Sequence, residues 1–206
     1  MDPKVKILTK YIPENAAPLI ARWIDFYRCD FKISKTRNTK LGDYRSPFKG
    51  EGHKISVNYN LNQFSFLVTT VHEFAHLVTF NEYKNWVKPH GTEWKDNFKR
   101  MMIPFFELEI FPMDVKKAIV AYLHNPAASS CSDLNLYKTL KIYDQPDPSI
   151  VTVEKIPSNC VFVMKNGRTF KKLERIRKRY RCVEVKTGLI YLFSPIAEVQ
   201  LLNSES

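Results

Sequence analysis

Cysteine and glycine are both scarce in this sequence of 206 residues. The four cysteines, Cys29, Cys131, Cys160 and Cys182, are far apart and form no C-x-x-C pair. This spacing excludes a dense disulfide framework and a complete four-cysteine zinc site. The chain has only six glycines, and 44% of its residues are apolar. This composition excludes a collagen-like or low-complexity chain. We therefore expect a globular protein with reduced thiols.

Long hydrophobic runs are also missing. No segment approaches the roughly 18 consecutive apolar residues of a membrane helix. Residues 1–13 lack the apolar core of a secretory signal. These absences predict no membrane association, and we expect the protein in the cytoplasm.

Acidic residues are outnumbered by basic ones, 21 to 32, and most of the excess is local. Ten basic and two acidic residues lie between Lys165 and Lys186, which gives this segment +8 of the net charge of +11. A concentrated positive field suits a polyanion such as nucleic acid, because each neutralised phosphate releases counterions. The alternative is a solvated strand face. We predict eight nucleic-acid-binding residues: Arg168, Lys171, Lys172, Arg175, Arg177, Lys178, Arg179 and Arg181.

Hydrophobic periodicity predicts an α+β fold. Helices are expected over residues 18–29, 63–80, 92–102, 114–124 and 134–142, and a small antiparallel sheet from residues 31–36 and 54–60. Strands over 160–164, 168–173, 176–185 and 189–193 follow, with turn signals at residues 166–167 and 187–188. The predicted organisation is a domain over residues 1–125, a connector with a short helix over 126–150, and a small basic antiparallel β domain over 151–206.

The central helix carries the run HEFAH over residues 72–76. His72 and His76 are spaced i and i+4, so both can reach one cation from a single helix face. Two merely structural histidines would leave Glu73 buried without a basic partner nearby in sequence, which is unfavourable. His53 and His124 have no second histidine or glutamate at a comparable spacing, and we interpret them as surface or structural residues.

A catalytic zinc site keeps three protein ligands and one position for water, so a third donor is required. We favour His90, which lies fourteen residues beyond the motif on a loop with proline and glycine beside it. Glu93 and Asp96 remain alternatives, because carboxylates also bind zinc. The metzincin pattern is excluded, since Thr79 and Glu82 stand where it has glycine and histidine.

Such a site predicts hydrolysis by metal-activated water. A bound Zn²⁺ lowers the pKa of water and polarises a carbonyl, and Glu73 would act as the general base that later protonates the leaving amine. Imidazole also accepts iron, cobalt or nickel. His53 or Tyr83 could help to stabilise the oxyanion, and nothing in the sequence selects one.

The residues around the motif resemble the SprT-like metallopeptidases. HEFAHL at 72–77, followed by PHGTEWK at 89–95, is similar to the family's HExxH and later His-Gly before an aromatic residue. LGDY at 41–44 and the strand at 55–61 resemble its Gly-x-Tyr turn and the strand before the motif. The resemblance covers about residues 17–102. It implies a zincin-like domain with His72, His76 and His90 as zinc ligands, Glu73 as the catalytic residue, and a protein substrate that in several members is associated with DNA.

The C-terminal tail departs from that resemblance. Many SprT-like proteins end in a zinc ribbon with two C-x-x-C knuckles, whereas here Val163 and Val185 stand three residues after Cys160 and Cys182. We therefore expect a degenerate ribbon that folds without metal. A two-thiolate zinc site completed by distant ligands is the alternative.

The combined prediction is a zinc-dependent endopeptidase of the SprT-like class with a nucleic-acid-binding tail. One alternative is a nucleic-acid-binding or scaffold protein with a structural or inactive metal site. Another is a metal hydrolase for a non-peptide amide, which the motif does not separate from a peptidase. The sequence gives no prediction of the oligomeric state.

Overall fold

A computed structural model of the protein describes residues 2–37, 40–124, 126, 133–145 and 147–202. The chain divides into two compact units, one up to Asp144 and one from Gln145 onward. The connector predicted over 126–150 falls across this division, and its residues 127–132, with Cys131, lie outside the described residues. Its short helix belongs to the first unit, because Leu136 and Leu140 are buried in that unit's core.

The described part of the first unit contains six α-helices and three β-strands. In chain order these are α1 Pro3–Leu8, α2 Ala17–Phe26, β1 Asp30–Ser34, β2 Gly42–Arg45, β3 Lys54–Asn58, α3 Gln63–Tyr83, α4 Thr92–Glu107, α5 Met113–His124 and α6 Leu134–Lys141. No helix in the described ranges combines the length and the apolar character needed to cross a membrane.

The longest helix, α3, is largely buried within the first unit. It has no glycine or proline, and the Asn62 side chain caps its start by accepting hydrogen bonds from the backbone N–H groups of Phe64 and Ser65. The helix contacts α4, β2 and β3. Because His72 and Glu73 are buried on this helix, both require polar partners or a bound ion.

The three-stranded sheet of this unit has the order β1-β3-β2. Strands β2 and β3 are antiparallel, with Tyr44 opposite Ile55, whereas β1 and β3 are parallel. The predicted antiparallel sheet is therefore wrong for the pair β1 and β3. The cause is β2, where Gly42, Asp43 and Arg45 give little strand signal. This unpredicted strand reverses the chain, so β1 and β3 run in the same direction.

The second unit is built on one antiparallel sheet of six strands in the order β4-β9-β5-β6-β7-β8. The described strands are β4 Ile150–Thr152, β5 Val161–Val163, β6 Thr169–Ile176, β7 Arg179–Glu184, β8 Ile190–Phe193 and β9 Glu198–Leu201. The core of this unit consists of Val153, Ile156, Phe162, Phe170, Cys182 and Val199.

This sheet differs from the predicted four-stranded, ribbon-like unit. Cys182 lies within β7 with its side chain fully buried in the apolar core, whereas a zinc knuckle needs cysteines where several ligands converge. Among the described residues of this unit, no three His, Cys, Asp or Glu side chains come close enough to share an ion. The hairpin turn between β6 and β7 also differs. It lies at Arg177-Lys178 instead of 174–175, with Arg177 at a φ of 52° that normally favours glycine.

Candidate metal centre

Three imidazole rings converge in the first unit. His72 and His76 project from α3, and His90 comes from the loop between α3 and α4. The Nε2 atom of His72 lies 3.2 Å from Nε2 of His76 and 3.2 Å from Nε2 of His90. The candidate ligand atoms all lie within 4.8 Å of one another. The structure thus brings together the three histidines that the sequence singles out as ligands.

The third ring reaches the cluster through a tight turn. His90 has a φ of 58°, and the backbone N–H of Gly91 donates to the carbonyl of Lys88. A Cβ atom at Gly91 would lie 2.9 Å from that same carbonyl oxygen, so a side chain at this position would open the turn. Helix α4 begins directly afterwards at Thr92. The turn and the helix start together fix where the His90 ring is held.

The indole of Trp94 packs against all three rings. Its centroid is 4.6 Å from those of His72 and His90 and 5.2 Å from that of His76. Trp94 is fully buried and stacks on Phe98. An apolar shell of this kind limits water and strengthens electrostatic interactions at a metal site. The periodicity of α4 predicts a buried Trp94, and only the structure reveals its contact with the cluster.

Burial lowers the pKa of all three imidazoles. It lowers the pKa of His72 well below the usual range, with His76 and His90 adding repulsion, and it lowers the pKa of His76 to about 3. The pKa of His90 is lowered by the same cause. The rings are therefore neutral at pH 7, and the neutral imidazole is the form that binds a metal.

The donor set and its spacing fit a divalent ion such as zinc. An ion about 2.0–2.1 Å from each nitrogen of a tetrahedral site holds those nitrogens about 3.3 Å apart, close to the observed 3.2 Å. Hydrogen bonding alone explains the cluster less well. One ring nitrogen offers either a single N–H or a single lone pair, and His72 Nε2 meets two nitrogens at once.

Neither alternative third ligand is part of the cluster. Among the described residues, the group able to hold a metal contains the three histidines and excludes Glu93 and Asp96. Asp96 instead lies 3.8 Å from the ammonium of Lys99. Of the remaining histidines, His53 contacts Tyr44, and His124 ends α5. Tyr83 is at the exposed end of α3.

Glu73 is buried on α3 and faces strand β2. The backbone N–H of Tyr44 hydrogen-bonds its carboxylate, and a Cβ atom added at Gly42 would overlap its Oε1 atom. Burial and, to a smaller extent, repulsion from Asp43 raise the pKa of Glu73 to about 8, and Arg37 opposes the shift. A nearby cation would favour the ionised form. The carboxyl group is thus placed to exchange a proton near neutral pH.

Gly42 and Tyr44 are the functional neighbours that sequence reasoning leaves without a role. Both belong to the LGDY segment. Its resemblance to the Gly-x-Tyr turn of the family places these residues before the motif but does not predict which side chains they contact. The ring of Tyr44 lies parallel to that of His76 at an interplanar angle of 3° and a centroid distance of 6.3 Å. Strand β2 therefore touches both the metal cluster and Glu73.

In the structure of the second unit, the eight basic residues predicted to bind nucleic acid differ in exposure and in ion pairing. Five are exposed around the β6–β7 hairpin, namely Lys171, Arg175, Arg177, Lys178 and Arg179. Arg168 is paired with Glu184 at 2.7 Å, and Arg181 with Glu174 at 2.9 Å.

Lys172 differs from the other seven because it is only 4% exposed. Its ammonium donates to the carbonyls of Ile156 and Glu154 and lies 4.1 Å from the centre of the Tyr180 ring. It therefore stabilises the interior of the unit and adds no charge to a surface.

Residues 15–114 of the chain match the SprT-like family. This segment includes His72, Glu73, His76 and His90, and it confirms the resemblance seen in the sequence. Comparison with curated proteins and with solved structures found no significant match. Over residues 15–114, just under half of its length, the chain is similar to the SprT-like family.

Proposed function

We propose that this protein is a zinc-dependent endopeptidase of the SprT-like class. The observation that carries the proposal is the convergence of three neutral imidazoles, two from α3 and one from the loop after it, beside the buried Glu73 of the same helix. The match of residues 15–114 to the SprT-like family supports a metallopeptidase-like role. The three-histidine set suits zinc and leaves a fourth position open to water or substrate.

His72, His76 and His90 would hold the ion. When bound there, zinc supplies Lewis acidity that polarises a carbonyl and makes water more acidic. The Tyr44 ring lies parallel to that of His76, and the fully buried indole of Trp94 packs against all three imidazoles, so both rings restrict movement of the ligands. The chain's own contribution is therefore a rigid, apolar environment that holds the reacting groups in position.

Glu73 would move the proton. Its carboxylate accepts a proton from the attacking water and donates it to the leaving amine as the peptide bond breaks. A pKa near 8 in the metal-free protein, lowered by an adjacent cation, allows both the acceptance and the return of the proton. The backbone N–H of Tyr44 on β2 favours the ionised carboxylate, the form that accepts the proton.

The decisive experiment compares Glu73→Gln with Glu93→Gln in zinc-loaded protein incubated with unfolded casein. Glu73→Gln should keep its zinc and lose at least about 100-fold in cleavage rate, because the proton acceptor is removed. Glu93→Gln, outside the cluster, should retain both metal and cleavage. Full activity in Glu73→Gln would contradict the assigned role. Zinc binding and DNA binding without any cleavage by wild type would favour the scaffold alternative.

We also propose that the substrate protein is associated with nucleic acid, which the second unit binds. The support is the β6–β7 hairpin, whose exposed tip presents Arg175, Arg177, Lys178 and Arg179 within five residues. A two-stranded ribbon fits the major groove of duplex DNA. Cations at its tip would contact phosphates and release counterions.

This part of the proposal is tested by DNA titration at several salt concentrations. The triple variant Arg175→Gln, Arg177→Gln, Arg179→Gln should weaken binding and reduce the slope of log K against log salt by about 1 for each lost phosphate contact. A control with the same change of charge, Lys6→Gln, Lys10→Gln, Lys117→Gln, alters exposed residues of the first unit. Equal losses in both triple variants would contradict a specific role for the hairpin.

A further inference from the structure

We propose that Tyr44 is a positioning residue that ties the metal ligand His76 and the carboxylate of Glu73 to one strand, and that His53 anchors it. The proposal rests on the proposed function only in taking the histidine cluster as a metal site. It gives LGDY a role in orienting the site and removes His53 from the candidates for oxyanion stabilisation.

The first observation is the relation between Tyr44 and His76. The two rings are parallel within 3°, and the Tyr44 ring also lies against Phe80 one turn further along α3. The His76 ring thus has two aromatic neighbours, Tyr44 at 6.3 Å and Trp94 at 5.2 Å between centroids, which together restrict its rotation about the side-chain torsions. The Nε2 atom of His76 is thereby kept on the side of His72, 3.2 Å away.

The second observation is that the backbone of the same residue reaches Glu73. Tyr44 lies opposite Ile55 in the pairing of β2 with β3, and its N–H hydrogen-bonds the Glu73 carboxylate. Gly42, two residues earlier and on the same side of the strand, leaves the space that this carboxylate occupies. One residue thus contacts a ligand through its ring and the proton acceptor through its peptide group.

The third observation is an anchor at the far end of the ring. The Tyr44 hydroxyl shares a hydrogen bond of 2.9 Å with Nδ1 of His53, and the two rings are stacked. His53 also hydrogen-bonds the side chain of Asn81 and packs edge-on against Phe80. The imidazole of His53 is therefore already engaged, and its structural effect passes through Tyr44 to His76.

Outer contacts of this kind change metal affinity or activity by about 10- to 100-fold in other proteins. Tyr44→Leu removes the ring and should weaken binding of Co²⁺ by about 10-fold or more, with a change in the visible spectrum of the bound ion. Tyr44→Phe and His53→Gln keep the ring and break the same hydrogen bond. Each should cause a smaller loss, and the double variant should lose no more than either alone.

The experiment measures Co²⁺ affinity and absorption spectra for these variants, for wild type and for Tyr11→Leu. Tyr11 is a half-buried aromatic residue that packs on Phe66, so its variant controls for loss of a ring elsewhere in the first unit. Wild-type affinity and spectrum in Tyr44→Leu would overturn the proposal, as would losses equal to those of Tyr11→Leu.

Two readouts keep the proposal testable beyond that variant. If Tyr44→Leu fails to fold, the non-additivity of Tyr44→Phe and His53→Gln decides, and losses that multiply would overturn the proposal. Cobalt binding requires no proteolysis, so absence of peptidase activity in wild type would count against the proposed function and leave this result standing.

Discussion

Replacement of Gly42 by alanine tests whether β2 sets the position of the proton-transfer group. A Cβ atom at this position would overlap Glu73 Oε1 and lie 2.8 Å from Glu73 Cγ and 2.7 Å from Thr69 Cγ2. Restoring an ordinary contact of 3.4 Å requires Glu73 Cγ to move by about 0.6 Å, and its carboxylate by more. Gly42 lacks a positive φ, so crowding is the dominant effect of the substitution.

Two consequences follow for Gly42→Ala. A displacement of about 1 Å at a catalytic group can cost about 100-fold in rate, so kcat should fall by roughly 10- to 100-fold with little change in KM. Overpacking of a buried site costs about 1–3 kcal/mol of stability. Zinc content should stay at the wild-type level, because the crowding falls on Glu73 and leaves the three imidazoles in place.

The assay measures kcat and KM on an unfolded protein substrate, zinc content, and urea unfolding of the metal-free protein. Gly52→Ala is the matched control, since its Cβ would meet only the Arg28 carbonyl at 3.6 Å, an ordinary contact. Wild-type kcat in Gly42→Ala would refute the argument that the space at Gly42 positions Glu73. Loss of zinc would refute the argument that the crowding spares the cluster.

The second unit gives two further predictions. Lys172→Met should destabilise the protein by about 1–3 kcal/mol, because buried carbonyls lose their donor, and should leave DNA affinity unchanged. Lys171→Met, on the exposed neighbour, is its control in urea unfolding and DNA titration, and equal DNA losses in both would contradict the burial of Lys172. Hydrogen bonds from Arg168 and Thr187 lower the pKa of Glu184 from 4.5 to about 2. Its stabilising effect is therefore present above pH 4.5 and is lost as the pH falls from there towards 2. Hydrogen exchange of residues 161–193 between pH 6 and 2.5 should show this loss in wild type and a weaker dependence in Glu184→Gln, and the same pH dependence in both proteins would exclude it.

Local spacing explains why the ligands were predictable from the sequence. His72 and His76 share a face because of helical geometry alone, and His90 stands on a loop next to a helix start. Glu73 follows from the same motif. None of these inferences requires knowledge of which strand or helix packs against α3.

Contacts that depend on long-range packing were not predictable in the same way. The roles of Gly42 and Tyr44 require β2 to lie against α3, and β2 itself is short and rich in residues that disfavour strands. Without this strand, the direction of β1 relative to β3 is wrongly predicted. The error and the unassigned roles therefore have one cause.

For Lys172, the sequence does contain a signal of burial, but the high density of basic residues around it favours the opposite assignment. Period-two alternation places Lys172 on the same side of β6 as Phe170, which faces the core. The density of basic residues around it favours a surface assignment instead. The turn at Arg177-Lys178 escaped prediction for a different reason, because neither residue type is favoured in tight turns.

Two unfavourable local features coincide at the histidine cluster, and together they indicate that the site has shaped the surrounding chain. His90 adopts a left-handed conformation that costs a non-glycine residue roughly 1–2 kcal/mol. The Nε1 atom of Trp94 is buried with no hydrogen-bond partner in the part of the chain described. A glycine at position 90 or a phenylalanine at position 94 would relieve these costs. The first would remove an imidazole from the cluster and the second would shrink the indole surface beneath it, so the residues present serve the cluster at the expense of local stability.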